Sequence, residues 1–230
     1  MKLLVSDYDG TFKESTKSGS VEKNVAAVKR FLDNGNMFSI ATGRSYISIK
    51  RETDRFHIPY NYLICNNGSV IFDENDKIIY HNPIKLQILI KTLNYLESLG
   101  FIKSIELRDM YGEETTSYED TTEIICTIKI RNILDLKYIK QELAFLQSLS
   151  FLTITILKER IDKKDAIEYI SSLHGIEKKH IYTVGDEFND EGMLREFNGH
   201  KMLFSNPILF NKGIKTTTSV RKLIQKIERR

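Results

Sequence analysis

The chain has 230 residues, with 34 Lys plus Arg against 31 Asp plus Glu and a formal net charge of +3. It is 41% hydrophobic and 28% charged, a balance that excludes a disordered or collagen-like chain and supports a packed core in one or two domains. The even charge, with only short basic clusters, gives no nucleic-acid footprint, and no window approaches the ~20 apolar residues of a membrane span.

Residues 2–6 form a short apolar run that ends at an acid, which predicts a buried parallel strand. Val21, Val25, Val28, Phe31 and Leu32 then repeat at helical spacing between Ser20 and Gly35. Residues 37–41 predict a second strand, the stretch to about residue 55 a second helix, and residues 62–65 a third strand. This alternation is the pattern of a doubly wound α/β sheet. Residues 69–80 predict a hairpin turning at Glu74-Asn75-Asp76-Lys77.

The pattern then changes. A helix is expected over 84–98, strands over 101–107 and 122–130 around the polar stretch Arg108 to Thr121, a helix over 135–147 and a strand over 151–157. Antiparallel strands with helices on one face make a compact α+β unit. The α/β alternation resumes with a helix over 163–174, a strand over 181–184, a helix from about Asp190, a last core strand over 201–204 and a closing helix over 217–228. The fold class read from this is α/β, a doubly wound, Rossmann-like parallel-sheet core of residues 1–81 and 159–230. Residues 82–158 are read as a smaller inserted α+β domain.

Cys65 and Cys126 sit inside apolar runs with no partner at zinc spacing, so they are expected as buried reduced thiols in a cytoplasmic protein. The apolar run before Asp7 is too short for a signal peptide.

In open α/β sheets, ligands bind beyond the carboxyl ends of the strands. After the first strand comes Asp7-Tyr8-Asp9-Gly10-Thr11, and after the second Thr42-Gly43-Arg44. Asn66-Asn67-Gly68 follows the third, and Gly185-Asp186-Glu187-Phe188-Asn189-Asp190 follows the strand at 181–184. Asp7, Asp9, Asp186 and Asp190 in one crevice would repel one another, and a hard divalent cation relieves that repulsion; an all-oxygen set suits Mg²⁺. Gly10, Thr11 and Gly43 offer N–H and hydroxyl donors near helix starts, which favours an oxyanion such as phosphate. Lys163 opens a helix, where a cation opposes the dipole unless a phosphate, Asp7 or Asp190 lies beside it. Arg44 either caps its helix or touches substrate, and the five histidines fall in no ligand pattern.

Asp7-Tyr8-Asp9-Gly10-Thr11 resembles motif I (Asp-x-Asp-Gly-Thr) of the haloacid dehalogenase-like (HAD) hydrolases. Ile40-Ala41-Thr42-Gly43-Arg44 resembles motif II of the Cof-type branch. Lys163-Lys164-Asp165-Ala166-Ile167 is similar to motif III (Lys-Gly-x-Ala-Leu), and Gly185 to Asp190 fits motif IV (Gly-Asp-x-x-Asn-Asp). The four stand in order across nearly the whole chain, with an insert resembling a shortened C2-type cap. The resemblance implies a Mg²⁺-dependent phosphatase that hydrolyses a small phosphorylated metabolite, a sugar phosphate-like monoester, through an aspartyl-phosphate. Asp7 would be the nucleophile and Asp9 the general acid and then base. Thr42 would hydrogen-bond the phosphoryl group and Lys163 neutralise its charge. The metal set implied is Asp7, Asp9 through its backbone carbonyl, and Asp186, with Asp190 beside them orienting water or Lys163. Gly10, Gly43, Arg44 and Asn189 would serve phosphate or substrate binding. Lys164 replaces the motif glycine, and alignment on Ala166 favours Lys163 as the motif lysine. The alternatives are a phosphomutase or other phosphotransferase on this scaffold, or a regulatory protein that binds a phosphometabolite without turnover. The expected partner is the substrate, with neither nucleic acid nor membrane, in a monomer or weak homo-oligomer.

Overall fold

A computed structural model describes residues 1–14, 19–100, 102–128, 146–149, 153–157, 162–210 and 212–229. The chain begins with β1 (Leu3–Ser6), α1 (Ser20–Asp33), β2 (Met37–Ala41), α2 (Tyr46–Phe56) and β3 (Tyr62–Cys65). A hairpin of β4 (Val70–Asp73) and β5 (Ile78–His81) follows. Next come α3 (Leu86–Ser98), β6 (Ile102–Arg108), β7 (Glu123–Ile128), β8 (Leu146–Leu149) and β9 (Thr153–Leu157). The chain closes through α4 (Lys163–Leu173), β10 (Ile181–Gly185), α5 (Glu191–Glu196), β11 (Asn198–Met202), β12 (Lys215–Thr217) and α6 (Val220–Glu228).

Eight strands form one sheet in the order β12-β11-β10-β1-β2-β3-β4-β5. From β12 to β3 every pair is parallel, and β3-β4-β5 is antiparallel. Both faces are covered, as a parallel sheet requires. Because strand side chains alternate, Leu4 joins Phe31, Phe38, Phe72 and Leu223 on the face covered by α1, α2 and α6. Leu3 and Val5 join Ile167, Ile170 and Leu194 on the face covered by α4 and α5. β1 sits centrally, with Ser6 opposite Val184 of β10 and Ile40 of β2. The loops after β1, β2 and β10 therefore emerge side by side.

A second, fully antiparallel sheet runs β6-β7-β9-β8. Leu89 and Leu96 of α3 pack with Ile124 and Cys126 against it. Cys65 and Cys126 are both buried and free.

Two expectations change. The last core strand is β11, which starts at Asn198, and not residues 201–204; Leu203 and Phe204 lie past its end, 50% and 78% exposed. Gly199 fits β11 because a Cβ there would collide with the backbone of Leu194. The polar strand β12 then forms an edge, where apolar alternation is not required. Most of the helix expected over 135–147 lies outside the described residues, but Leu146 and Gln147 open β8, whose ladder with β9 overrides their helical spacing. The stretch from Arg108 to Thr121 is largely exposed or half-buried, yet it docks at two points. Tyr111 packs against Tyr46 and Phe72, and Thr121 is fully buried.

Candidate active site

The Asp7 N–H continues the parallel ladder by donating to the Val184 carbonyl at 2.9 Å. The chain then turns sharply: Phe12 N–H donates to the Asp7 carbonyl at 3.2 Å and Lys13 N–H to that of Tyr8 at 2.8 Å. Gly10 makes this turn with φ +78°, and a Cβ there would strike the Asp186 carboxylate. Both constraints demand glycine. The fully buried, stacked rings of Tyr8 and Phe12 anchor the loop. Asp7 is left largely buried and Asp9 exposed.

Lys163 is the first residue of α4, whose N-terminus is capped by Asp162 accepting from the Lys164 N–H at 3.0 Å. The Lys163 side chain is fully buried, with Nζ 2.6 Å from Asp7 Oδ1 and 2.7 Å from Asp190 Oδ1. The Lys164 ammonium lies 3.8 Å from Asp165 instead. Of the two candidate lysines, Lys163 is the one that reaches the carboxylates. The unfavourable placement of a cation at a helix start is thus answered by two anions.

Asp190 Oδ2 accepts from the N–H groups of Asp186 (2.9 Å) and Glu187 (3.0 Å), which ties the 186–190 loop closed. Thr11 donates its hydroxyl to Asp186 Oδ1. Oxygens of Asp7, Asp186 and Asp190 lie within 4.8 Å of one another. Burial pushes the Asp186 carboxyl up to about 6; the Thr11 hydrogen bond offsets part of this and the charge of Asp190 adds to it. Asp7 is held well above the usual carboxylate range because burial, with Asp190 and Asp186, outweighs Lys163. For Lys163, burial opposes the charge, but Asp190 and Asp7 overcome it and keep the ammonium protonated. Three acids share one ammonium, so the cluster is short of positive charge. Its donors are all oxygen, which fits a hard divalent cation. Both Asp190 oxygens are engaged by Lys163 and two amides, so Asp7 and Asp186 carry the carboxylate oxygens left to face a metal.

Thr42 is buried beside this cluster; its N–H donates to the Ile64 carbonyl at 2.9 Å and its Oγ1 accepts from the Arg44 N–H at 3.1 Å. Gly43 lies so close to Asn67 that an added Cβ would be 3.1 Å from its Nδ2. Asn67 in turn accepts from Asn189 Nδ2 at 2.7 Å. Asn66, Asn67 and Gly68 take successive positive φ values of 47°, 54° and 110°, a conformation asparagine tolerates better than most residues. Asn67 was not among the expected site residues; its signal was the Asn-Asn-Gly run directly after a strand. Arg44 engages Asp9 through two bonds, Nε to Oδ2 at 2.6 Å and Nη2 to Oδ1 at 2.7 Å. A cavity of about 340 Å³ opens beside these groups, lined by Asn67, Asp162, Phe188, Asn189 and Arg195 among others.

The family described as haloacid dehalogenase-like hydrolase matches residues 4–145 and 115–219 of this chain. The 5-amino-6-(5-phospho-D-ribitylamino)uracil phosphatase YwtE of Bacillus subtilis is 25% identical, covering 90% of this chain and 89% of its own. A HAD-superfamily phosphatase structure from Bacteroides thetaiotaomicron superposes with a TM-score of 0.78 at 19% identity, over 100% of this chain and 94% of that one. A HAD subclass IIB sugar phosphatase superposes with a TM-score of 0.74 at 17% identity, over 100% and 98%. The chain belongs to the haloacid dehalogenase-like hydrolases and is an enzyme of their phosphatase type. Among the described residues, no helix is long and apolar enough to cross a membrane.

Proposed function

We propose that this enzyme hydrolyses a small phosphorylated metabolite, a sugar phosphate-like monoester, through a covalent phosphate on Asp7. The observation that carries this reading is the buried Lys163 ammonium held between Asp7 and Asp190 with Asp186 adjoining. A phosphoryl transition state needs positioning and charge neutralisation above all, and this cluster supplies both.

Asp7 attacks phosphorus, and the bond to the leaving oxygen breaks as Asp9 protonates it. Asp9 then takes a proton from water, whose oxygen displaces Asp7 and releases phosphate. Lys163 offsets the charge gathered on Asp7 and the phosphoryl oxygens, and Asp190 holds Lys163 in place. Thr42 donates to the phosphoryl group, while Gly10 and Gly43 let the backbone approach it. Asn189, braced by Asn67, lies at its rim. Mg²⁺ would be held by Asp7, the Asp9 carbonyl and Asp186, and when bound it supplies positive charge to the phosphoryl oxygens. Residues 1–81 and 159–230 act as the catalytic core and residues 82–158 as a cap that restricts access to small substrates. The cavity of about 340 Å³ is in the size range of small-ligand sites. The reduced, buried cysteines support a cytoplasmic setting, and we take the protein as a monomer or weak homo-oligomer.

The test is hydrolysis of p-nitrophenyl phosphate with Mg²⁺ and then with excess EDTA, alongside Asp7→Asn. Turnover that requires the metal and falls at least about 10³-fold in Asp7→Asn is expected, since loss of a nucleophile removes most of the catalytic gain. Undiminished turnover in Asp7→Asn would remove Asp7 from the nucleophile's role.

A further inference from the structure

We infer that Arg44 is a positioning residue for Asp9, and not a ligand of the substrate phosphate. This rests on the phosphatase reading above. The guanidinium meets the Asp9 carboxylate edge to edge, with bonds of 2.6 and 2.7 Å to its two oxygens. Such a two-bond fork fixes a carboxylate in direction as well as in place. Asp9 needs this, because its side chain is 55% exposed.

Arg44 is itself fixed from every side. Its N–H donates to Thr42 Oγ1 at 3.1 Å, and its carbonyl accepts from the Asn66 N–H at 3.0 Å. Its remaining guanidinium nitrogen, Nη1, donates to Ser48 Oγ at 3.2 Å, one turn along α2. The guanidinium lies 5.2 Å from the centre of the Tyr8 ring, within cation–π range. Tyr8 is locked in turn by donating its hydroxyl to Glu52 at 2.6 Å, and Lys13 donates to the same Glu52 oxygen at 2.8 Å. Each of the three guanidinium nitrogens therefore donates to a protein group, two of the three bonds going to Asp9.

The chemistry separates positioning from phosphate binding. In the first step the P–O bond to the leaving group breaks, the Asp7–P bond forms, and the Asp9 proton passes to the departing oxygen. An alkoxide needs that proton; p-nitrophenolate leaves well without it. kcat/KM reports events up to that bond cleavage and excludes the later hydrolysis of the phosphoenzyme, which is common to all substrates. Loss of Asp9 positioning must therefore lower kcat/KM for an alkyl ester far more than for the aryl ester, by an amount set by general acid catalysis, about 10²-fold or more.

The experiment compares wild type, Arg44→Lys and Arg44→Met in Mg²⁺ buffer on p-nitrophenyl phosphate and on a sugar phosphate the wild type accepts. Thermal unfolding of each variant is followed in parallel. The expected result is a fall of about 10²-fold in the alkyl-to-aryl ratio of kcat/KM in both variants. Arg44→Lys keeps the charge but not the fork, so it falls with Arg44→Met. A ratio unchanged while both values drop together, with Arg44→Lys largely restored, would overturn the inference in favour of phosphate binding. Equal drops that track a lowered unfolding temperature would overturn it in favour of a merely structural role. A wild type that hydrolyses neither ester would overturn the phosphatase reading first, and this inference with it.

Discussion

Lys163 shows how much a single position decides. Its ammonium has no exposure to water and two carboxylates within 2.7 Å. Removing one partner of a buried ion pair leaves an uncompensated charge, which typically costs about 3–5 kcal/mol. Asp190→Ala would in addition strip two backbone N–H groups, those of Asp186 and Glu187, of their acceptor. It is expected to lower the unfolding temperature by roughly 6–20 °C, on the basis of ~2–4 °C per kcal/mol for a chain of this size. A calorimetric scan checks this, and a shift under ~2 °C would mean that water already shares the site. Asp7, Asp186, Asp190 and Lys163 were all legible in the sequence, because each stands next to a strand end or helix start that forces it into the crevice. For Asn67 the Asn-Asn-Gly run marked only its place at a strand end; its bond to Asn189 is one that no spacing encodes.

The insert is joined to the core at one telling place. Helix α2 begins at Tyr46, and its Ser45 cap makes no side-chain bond. The acceptor for the Ile47 N–H comes instead from the carbonyl of Tyr111 in the β6–β7 loop, at 3.2 Å. Gly112, at φ +87°, lies flush against Ser45, and a Cβ there would collide with it. A distant loop therefore caps the helix that directly follows Thr42-Gly43-Arg44. Gly112→Ala is expected to undock the loop, and the Ile47 amide should then exchange with solvent at least about tenfold faster, while amides of β1 and β2 keep their protection. Exchange followed by NMR or mass spectrometry reads both, and unchanged protection at Ile47 would show that the loop does not cap α2 in solution. At this scale the sequence was legible where period and burial agree, as in β1 to β3 and α4. It misled where they part: Leu203 and Phe204 looked like a strand and lie exposed, while the strand beside them carries Gly199 and His200. The edge strand β12, with its sequence Lys-Thr-Thr, offered no apolar alternation to read.

Across the whole molecule, burial shifts three acids in the same direction. Burial raises Asp186 to about 6, raises Asp7, and raises Glu123 to about 7, where Arg108 offsets only part of the effect. Between each group's unfolded and folded values, the folded state binds more protons than the unfolded chain, so stability falls as pH rises through that window. His81, lowered by burial, works in the opposite sense but is less deeply buried. Glu177 and Glu196, held low by lysines, lie at surface pairs that solvent screens, while half-buried Glu52, held low by Lys13 and Tyr8, works in the opposite sense to the raised acids. In EDTA the unfolding temperature is expected to decline as pH rises from about 4 to about 7. Saturating Mg²⁺ should flatten the part due to Asp7 and Asp186 and leave that of Glu123. A profile rising across the same range would show that these acids are ionised in the folded protein.

The central place of β1 has a consequence in time as well as in space. Asp7 and its ammonium partner Lys163 are separated by 156 residues of chain. The strand that completes its crevice, β10, is made later still. At ~5–20 residues per second, roughly 8–30 s pass on the ribosome before those groups exist together. Throughout that interval Lys163 is not available to Asp7, whereas the second sheet pairs only β6 to β9, strands that follow one another in the chain. The Asp7–Lys163 pair therefore forms only after α4 has been made, and its crevice is completed only when β10 pairs with β1.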